Sequence, residues 1–179
     1  MANNCDVSIH VKGTKVSVQE FIRAMQWKGE YEECGVGRIY VCEVIDECYL
    51  HENYYFADIW ADCAWSVLSA MRNASNSNNL EAISKRLDLT IEIFSKEPCA
   101  GFMEHFVVEN GTVMVDDCFD YYECDADKFE ELVNNGALSD DFWERDFIKE
   151  AGMTKENYME FQHDGYIEVG GCDENWEFV

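Results

Sequence analysis

Residues 116–127, DDCFDYYECDAD, form the sequence feature that most constrains how this chain can fold. The segment places six carboxylates and three aromatic residues in twelve positions. Each added like charge repels its neighbours and opposes compaction, and a protein that needs only to stay dissolved does not require this density. An acidic helical run, residues 128–150, follows the segment. We therefore expect this part of the chain to carry a functional surface.

The net charge of −24 is concentrated in the second half of the chain. Residues 1–90 contain 8 Lys and Arg against 13 Asp and Glu, a net charge of −5, whereas residues 91–179 contain 5 against 24, a net charge of −19. A hydrophobic content of 47% predicts a folded chain in spite of this charge. Excess acid disfavours DNA, RNA and anionic membranes as partners and favours basic clefts or cations.

The nine cysteines are typical of a protein from a reducing compartment. Their number is odd and no CxxC pair occurs. The chain starts without a basic and apolar signal segment, and no apolar run approaches the roughly 20 residues of a membrane-spanning helix. We therefore predict a cytoplasmic protein in which most thiols are small buried hydrophobic groups, and we do not expect a disulfide framework.

Hydrophobic periodicity predicts a β-α-β-β-α-β order for the N-terminal part of the chain. Val7, Ile9 and Val11 alternate along a first strand, and Ser17 with Glu20 forms a capping box before a helix. The predicted strands are residues 5–12, 38–45, 54–59 and 89–94. One predicted helix begins at Ser17, and two further helical segments cover residues 61–72 and 80–86.

This order, with an antiparallel sheet and both helices on one face, is ferredoxin-like. Asn110-Gly111 lies between two apolar runs and predicts a hairpin that extends the sheet. We predict an α+β fold in which residues 1–115 form the ferredoxin-like core with its hairpin. The acidic residues 116–179 are predicted to form a mostly helical appendage that packs on this core as one unit.

Within the appendage, helical periodicity and capping residues predict three helices and two closing strands. Ser139 and Thr154 are the predicted N-caps of the second and third helices, and Gly152 is predicted to end the second. The helices cover residues 126–133, 139–152 and 154–161, and the strands cover residues 166–169 and 176–179.

Short motifs across residues 3–111 resemble those of the YubB-like ferredoxin-like proteins of plasmids and phages. The motifs are Asn4-Cys5 before a strand that ends at Gly13, Phe56xxxTrp60, Leu80xxxSer84, Glu97, Gly101-Phe102 and Asn110-Gly111. The resemblance implies a ferredoxin-like fold and an origin in a mobile element. It implies no particular chemistry.

The acidic residues are spaced in a way that can imitate nucleic acid. The phosphates of each strand of duplex DNA follow one another at an axial rise of about 3.4 Å, and carboxylates at helical positions i, i+3 and i+4 lie roughly 5 to 6 Å apart. Aromatic residues are the usual anchors of protein interfaces. The predicted partner-binding residues are Asp116, Asp117, Asp120, Tyr121, Tyr122, Glu123, Asp125, Asp127, Asp140, Asp141 and Glu144. A solvated acidic face without a partner is the alternative interpretation.

In composition, the chain resembles the small acidic proteins of phages and plasmids that block CRISPR effectors or restriction enzymes. This resemblance implies a non-enzymatic inhibitor that binds the basic nucleic-acid cleft of a host defence nuclease. A CRISPR effector is the favoured partner, followed by a restriction enzyme, and the expected mechanism is competition for DNA or guide RNA. No cofactor is predicted, and the sequence leaves the oligomeric state open.

Metal binding is a second hypothesis. The aspartates of residues 116–127 supply oxygen ligands for Ca²⁺ or Mg²⁺, but they lack the spacing of an EF-hand. Structural zinc sites usually contain two tight ligand pairs. One thinkable zinc set is Cys42, Cys48, His51 and Cys63, in which Cys48 and His51 are the only close pair.

A thiol enzyme and a structural adaptor of a mobile element are the remaining alternatives. Cys99 is a candidate nucleophile with His105 nearby in the sequence, but no local motif supports an activated thiol. A metal-dependent or thiol enzyme of this charge would act on a cationic small molecule.

Overall fold

A computed structural model describes residues 4–26, 39–64, 66–67, 79–97 and 99–176. The chain divides into two compact units. The first unit comprises Met1–Glu97, Glu104–Cys118 and Asp173–Val179, and the second comprises Pro98–Met103 and Phe119–Cys172.

The described elements follow one another from β1 to β8, with five α-helices and one 3₁₀ helix among them. The strands are β1 Asn4–Gly13, β2 Ile39–His51, β3 Tyr54–Ala64, β4 Thr90–Glu97, β5 Phe102–Glu109, β6 Thr112–Asp125, β7 Gln162–His163 and β8 Tyr166–Gly170. The helices are α1 Lys15–Gln26, α2 Leu80–Leu87, α3 Ala126–Asn134, α4 Asp140–Trp143, α5 Asp146–Ala151 and the 3₁₀ helix Tyr158–Phe161. The predicted boundary after residue 115 falls inside β6.

The predicted fold class is wrong, because the described chain is mostly antiparallel sheet rather than a ferredoxin-like core with a helical appendage. The strands are hydrogen-bonded in the order β2-β3-β1-β4-β5-β6-β8-β7. The sheet therefore continues well beyond β4, and the segment predicted to be mostly helical contributes β7, β8 and ten of the fourteen residues of β6. Periodicity locates single strands, but the number of strands that join one sheet depends on contacts between distant residues.

In the first unit, β1 lies between β3 and β4 and pairs with both in antiparallel register. Val7, Ile9 and Val11 are at most 1% exposed, so the predicted alternation is confirmed. Helix α1 contacts β1, β2 and β3 and buries its apolar stripe, Val18, Phe21, Ile22 and Met25. The helix begins at Lys15 rather than after Ser17, because the Thr14 hydroxyl accepts a hydrogen bond from the Ser17 N–H at 3.2 Å.

The second predicted helix, residues 61–72, is wrong at its start, since residues 61–64 belong to β3. Residues 65 and 68–72 lie outside the described part of the chain. Helix α2 follows the prediction closely, and its N-cap Asn79 accepts a hydrogen bond from the Ala82 N–H at 2.7 Å.

The predicted hairpin between β5 and β6 is confirmed. Asn110 and Gly111 have φ angles of 45° and 77°, in the left-handed region that a two-residue hairpin turn requires. Strand β6 then continues through the acidic segment as far as Asp125. Residues 116–125 of the acidic segment are therefore a strand, with successive side chains on opposite faces.

The second unit is built around a small apolar core. Its fully or nearly buried members are Ala126, Phe129, Phe142, Ile148, Met153, Ile167 and Val169. Tyr122 and Cys124 pack against this core from β6, opposite Val169 and Ile167 of β8. One face of β6 therefore packs against this core, to which the helices of the second unit also contribute.

The single helix predicted for residues 139–152 is wrong, because the chain forms α4 and α5 with a break at Glu144 and Arg145. Arg145 has an extended backbone with ψ 137°. In one continuous helix, Phe142 and Ile148 would point about 120° apart. The break allows both side chains to enter the same core.

The remaining C-terminal predictions differ in outcome. The strand predicted at residues 166–169 is confirmed as β8. The helix predicted from Thr154 is reduced to the 3₁₀ turn Tyr158–Phe161. Of the strand predicted at residues 176–179, Trp176 is not in a strand, and residues 177–179 lie outside the described part.

Gly170→Ala is expected to destabilise the protein far more than Gly136→Ala. Both glycines have positive φ, 82° and 62°, so each alanine carries a backbone cost of about 1 kcal/mol. A Cβ on Gly170 would also lie 2.3 Å from the Asp120 carbonyl oxygen, whereas nothing lies within 4 Å of one on Gly136. Steric overlap of this kind adds about 1 to 3 kcal/mol. Urea denaturation of the two variants measures the difference, and equal free energies of unfolding would contradict the close approach of β8 to β6.

Candidate functional site

The candidate site is the acidic surface of the second unit. This unit contains fifteen Asp and Glu against four Lys and Arg, and thirteen of the fifteen are exposed. We define the acidic surface as these thirteen residues: Asp120, Asp125, Asp127, Glu130, Glu131, Asp140, Asp141, Glu144, Asp146, Glu150, Glu156, Glu160 and Asp164. Because the core beneath is apolar, the carboxylates remain in water, where their charge costs little.

Asp116 and Asp117 lie in the first unit, on the N-terminal half of β6, and both are exposed. As neighbours on a strand they point to opposite faces. The other nine predicted partner-binding residues belong to the second unit. The residues of the acidic segment are contiguous in the sequence, but the structure divides their carboxylates between the two units and between the two faces of β6.

Tyr121 and Tyr122 are occupied within the fold. Tyr121 is 3% exposed, and its hydroxyl donates a hydrogen bond to the Glu123 Oε2 at 2.6 Å. Tyr122 is half-buried, with its ring centroid 4.9 Å from that of Phe142 and 5.9 Å from that of Phe129. Burial raises the pKa of the Tyr122 phenol, and the neighbouring Cys124 thiol raises it further. Tyr122 therefore packs against the apolar core of the second unit, whereas Tyr121 is buried on the opposite face of β6.

Asp125 and Asp127 stabilise the start of helix α3. Asp125 is the N-cap, and its Oδ1 accepts a hydrogen bond from the Lys128 N–H at 2.9 Å. Asp127 lies in the first turn, where a negative charge interacts favourably with the helix dipole. Both carboxylates have a structural role and are exposed at the same time.

Asp140, Asp141 and Glu144 surround the short helix α4. Asp140 and Asp141 lie in its first turn, and Glu144 follows its last residue. Glu144 pairs with Lys149 at 2.5 Å, and Asp140 pairs with Lys155 at 3.4 Å. Both lysines are 51% exposed, so these pairs are surface ion pairs of about 0 to 1 kcal/mol.

A cleft of about 590 Å³ opens between these groups. Its lining includes Asp140, Glu144, Glu156, Trp143 and Met153, together with the two lysines. The indole Nε1–H of Trp143 is buried, and it has no acceptor among the described residues. A buried donor without a partner costs about 1 to 3 kcal/mol, so this tryptophan is the least satisfied polar group at the acidic surface.

Seven carboxylates of the acidic surface were not among the predicted partner-binding residues, and four of the seven lie on α3 and α5. Glu130 and Glu131 lie on α3, and Asp146 and Glu150 lie on α5, all exposed. Their signal was present in the sequence as carboxylates three or four positions apart, such as Asp127, Glu130 and Glu131. The i, i+3 and i+4 rule applied to Asp140 and Asp141 identifies them as well.

The structure does not assemble the alternative metal site. Among the described residues, which include the four proposed zinc ligands, no group of three or more His, Cys, Asp and Glu is placed to hold a metal ion. Cys63 is buried, and the Cys48 Sγ lies 3.8 Å from the Lys15 carbonyl oxygen.

The two members of the proposed thiol pair belong to different units. Cys99 is exposed in a turn of the second unit, whereas His105 lies on β5 in the first. The His105 Nε2 is 2.9 Å from the Glu92 Oε1, and its ring stacks on Phe94 at 4.4 Å. His105 therefore has a partner inside its own unit.

Comparison of the chain with models of protein families, with curated proteins and with solved structures finds no match. Within the described part of the chain, no helix combines the length and the apolar character needed to cross a bilayer.

The N-cap role of Asp125 can be separated from its charge by two substitutions. Asp125→Ala removes the acceptor for the Lys128 N–H and is expected to lower the free energy of unfolding by about 1 kcal/mol. Asp125→Asn keeps an acceptor and removes the charge, so its effect is expected to be a few tenths of a kcal/mol. Chemical denaturation measures both, and equal losses for the two variants would show that the cap contributes nothing.

Proposed function

We propose that the protein is a non-enzymatic inhibitor whose acidic surface binds the basic nucleic-acid cleft of another protein. The observation that carries the proposal is the excess of thirteen exposed carboxylates over four Lys and Arg on the second unit. Such an excess costs stability through self-repulsion. A positively charged partner offsets this cost on binding.

The physical basis of the proposal is that the acidic surface and nucleic acid both present negative charge to the same cleft. A cleft that binds nucleic acid is lined by Lys and Arg that pair with phosphates and gain affinity by releasing counterions. Carboxylates on α3, α4 and α5 supply negative charge to the same Lys and Arg. Opposite surfaces of this kind associate rapidly and lose affinity as salt rises, because the attraction is screened.

The proposed partner is a host defence nuclease, most favourably a CRISPR effector and next a restriction enzyme. Inhibition follows from competition with DNA or guide RNA for the cleft. The proposal places the protein in the cytoplasm of a bacterial host that carries a phage or another mobile element. This origin rests on the acidic composition, which resembles that of the small inhibitors of phages and plasmids.

The cleft beside α4 is the proposed centre of the contact. Trp143 supplies an aromatic surface there, and Trp and Arg are the residue types that most often dominate interface energetics. An arginine of the partner can pair with Asp140 or Glu144 once Lys155 or Lys149 has moved away. Because both lysine pairs are exposed, this exchange costs little.

A triple neutralisation of this centre tests the proposal. Asp140→Asn, Asp141→Asn and Glu144→Gln together are expected to weaken binding to the partner nuclease by about 3-fold to 100-fold at low ionic strength. The matched control is Glu20→Gln, Glu43→Gln and Glu52→Gln, three exposed positions of the first unit. Binding is measured as displacement of labelled oligonucleotide from a panel of purified CRISPR effectors and restriction nucleases.

The control variant loses the same number of negative charges as the test variant. It is expected to displace nearly as much labelled oligonucleotide as the native protein. If the native protein displaces oligonucleotide from no member of the panel at low salt, the inhibitor function is wrong for those nucleases. If both triple variants lose displacement equally, net charge rather than this surface is responsible. A structural adaptor predicts that neither variant changes the binding of its partner.

A further inference from the structure

A second set of polar and aromatic side chains lies in the first unit. His10 of β1 stands directly opposite Asp58 of β3 and directly opposite Glu92 of β4. Directly opposite residues share a sheet face, with Cβ atoms about 4.5 to 5.5 Å apart. The imidazole is therefore flanked by a carboxylate on each side. This face is opposite to the one that carries Ile9.

These groups are connected by hydrogen bonds. The His10 Nδ1 pairs with the Asp58 Oδ1, and the Tyr49 hydroxyl donates to the Asp58 Oδ2 at 3.1 Å. The His10 side chain is 8% exposed and that of Asp58 is 25% exposed. Asp58 is thus held from two sides while part of it stays accessible.

Trp176 covers this site from the C-terminal segment. Its ring stacks on His10 with centroids 5.0 Å apart, and it contacts Phe94 at 5.1 Å. An ion pair between Lys96 and Glu174 fixes the same segment to β4. Trp176 is 36% exposed, so part of its indole surface remains available.

A cavity of about 350 Å³ opens beside these groups. Two tryptophans and two aspartates are among its lining residues, which include Ser8, Ile45, Asp46, Asp58, Trp60 and Trp176. None of the described lining residues is Lys or Arg. Ile45 is 57% exposed and supplies apolar surface to the lining. The cavity therefore combines negative charge, aromatic surface and apolar surface.

We propose that this cavity binds an organic cation of the alkylammonium or guanidinium class. Asp46 and Asp58 supply the charge that attracts a cation, and Trp60 and Trp176 line the cavity with the type of aromatic ring that binds cations best. A metal ion does not suit the cavity, because a small hard cation requires about six oxygen ligands. An anion is repelled by both aspartates. The site is in the first unit, and the proposal is independent of the proposed inhibitor function.

Choline and 3,3-dimethyl-1-butanol distinguish charge from shape, because the alcohol has the same outline with a carbon atom in place of the charged nitrogen. The full-length protein is titrated with each by calorimetry, while the indole resonances of Trp60 and Trp176 are followed by NMR. We expect saturable binding of choline that shifts both resonances, and binding of the alcohol at least about 3-fold weaker. Methylguanidinium is titrated in the same way as the guanidinium probe. The proposal is overturned if choline and the alcohol bind equally well, or if neither choline nor methylguanidinium binds.

Two variants locate the site, and a third serves as their control. Trp176→Leu is expected to weaken choline binding by about 3-fold to 30-fold, and Asp46→Asn by about 2-fold to 5-fold. Asp117→Asn removes an exposed charge from β6 of the same unit and is expected to leave binding unchanged. Asp46 is exposed, so its variant is expected to fold normally, which a thermal denaturation curve verifies. Equal weakening by Asp46→Asn and Asp117→Asn would show that net charge, not this cavity, attracts the cation.

The source of the cation is resolved by a further titration with a short arginine-containing peptide. Tighter binding of the peptide than of methylguanidinium assigns the cavity to an arginine side chain of a protein. Tighter binding of the small cation assigns it to a metabolite. Either result requires that Trp176→Leu weakens the preferred ligand, and an unaffected ligand would place its binding elsewhere.

Discussion

The packing of Phe129 is the interaction on which the second unit depends. Its ring lies within 5.3 to 6.1 Å of the rings of Tyr158, Tyr122, Phe142 and Trp143, measured between centroids. Aromatic pairs of this kind contribute about 0.5 to 1.5 kcal/mol each beyond the burial of their area. They offset the mutual repulsion of fifteen carboxylates on a unit with four Lys and Arg. The acidic surface can exist because the aromatic residues of the same sequence segments lie beneath it.

The two units place their carboxylates differently. In the second unit none of the fifteen Asp and Glu is buried. In the first unit Glu92, Glu97 and Glu104 are at most 4% exposed. Glu92 pairs with His105, and the Glu104 Oε2 accepts hydrogen bonds from the Val67 N–H and the Ser95 hydroxyl, each at 2.8 Å. Glu92 and Glu104 thus have specific partners inside the fold. The exposed carboxylates of the second unit create a negative electrostatic potential that attracts basic surfaces.

The sequence predicts much of the local structure and little of its assembly. Alternation identified the strand around Ile9, and Asn110-Gly111 identified a turn, because both signals depend on residues close in the chain. The sheet class was wrong because pairing of β6 with β8 joins Tyr122 to Val169, far apart in sequence. The sequence located the excess of carboxylates in the second half of the chain, but the packing of Tyr122 and the break before α5 follow from the apolar core. The cavity at Trp60 and Trp176 could not be predicted, since its residues come from four separate segments.

The central claim is that the acidic surface and nucleic acid occupy the same cleft of one partner. The most direct test measures the affinity of the native protein for a partner nuclease at increasing concentrations of the oligonucleotide that the nuclease binds. Competition for one cleft predicts that the apparent Kd rises in proportion to the oligonucleotide concentration, because the protein and the oligonucleotide exclude each other. An apparent Kd that stays constant while the oligonucleotide saturates the nuclease would contradict it.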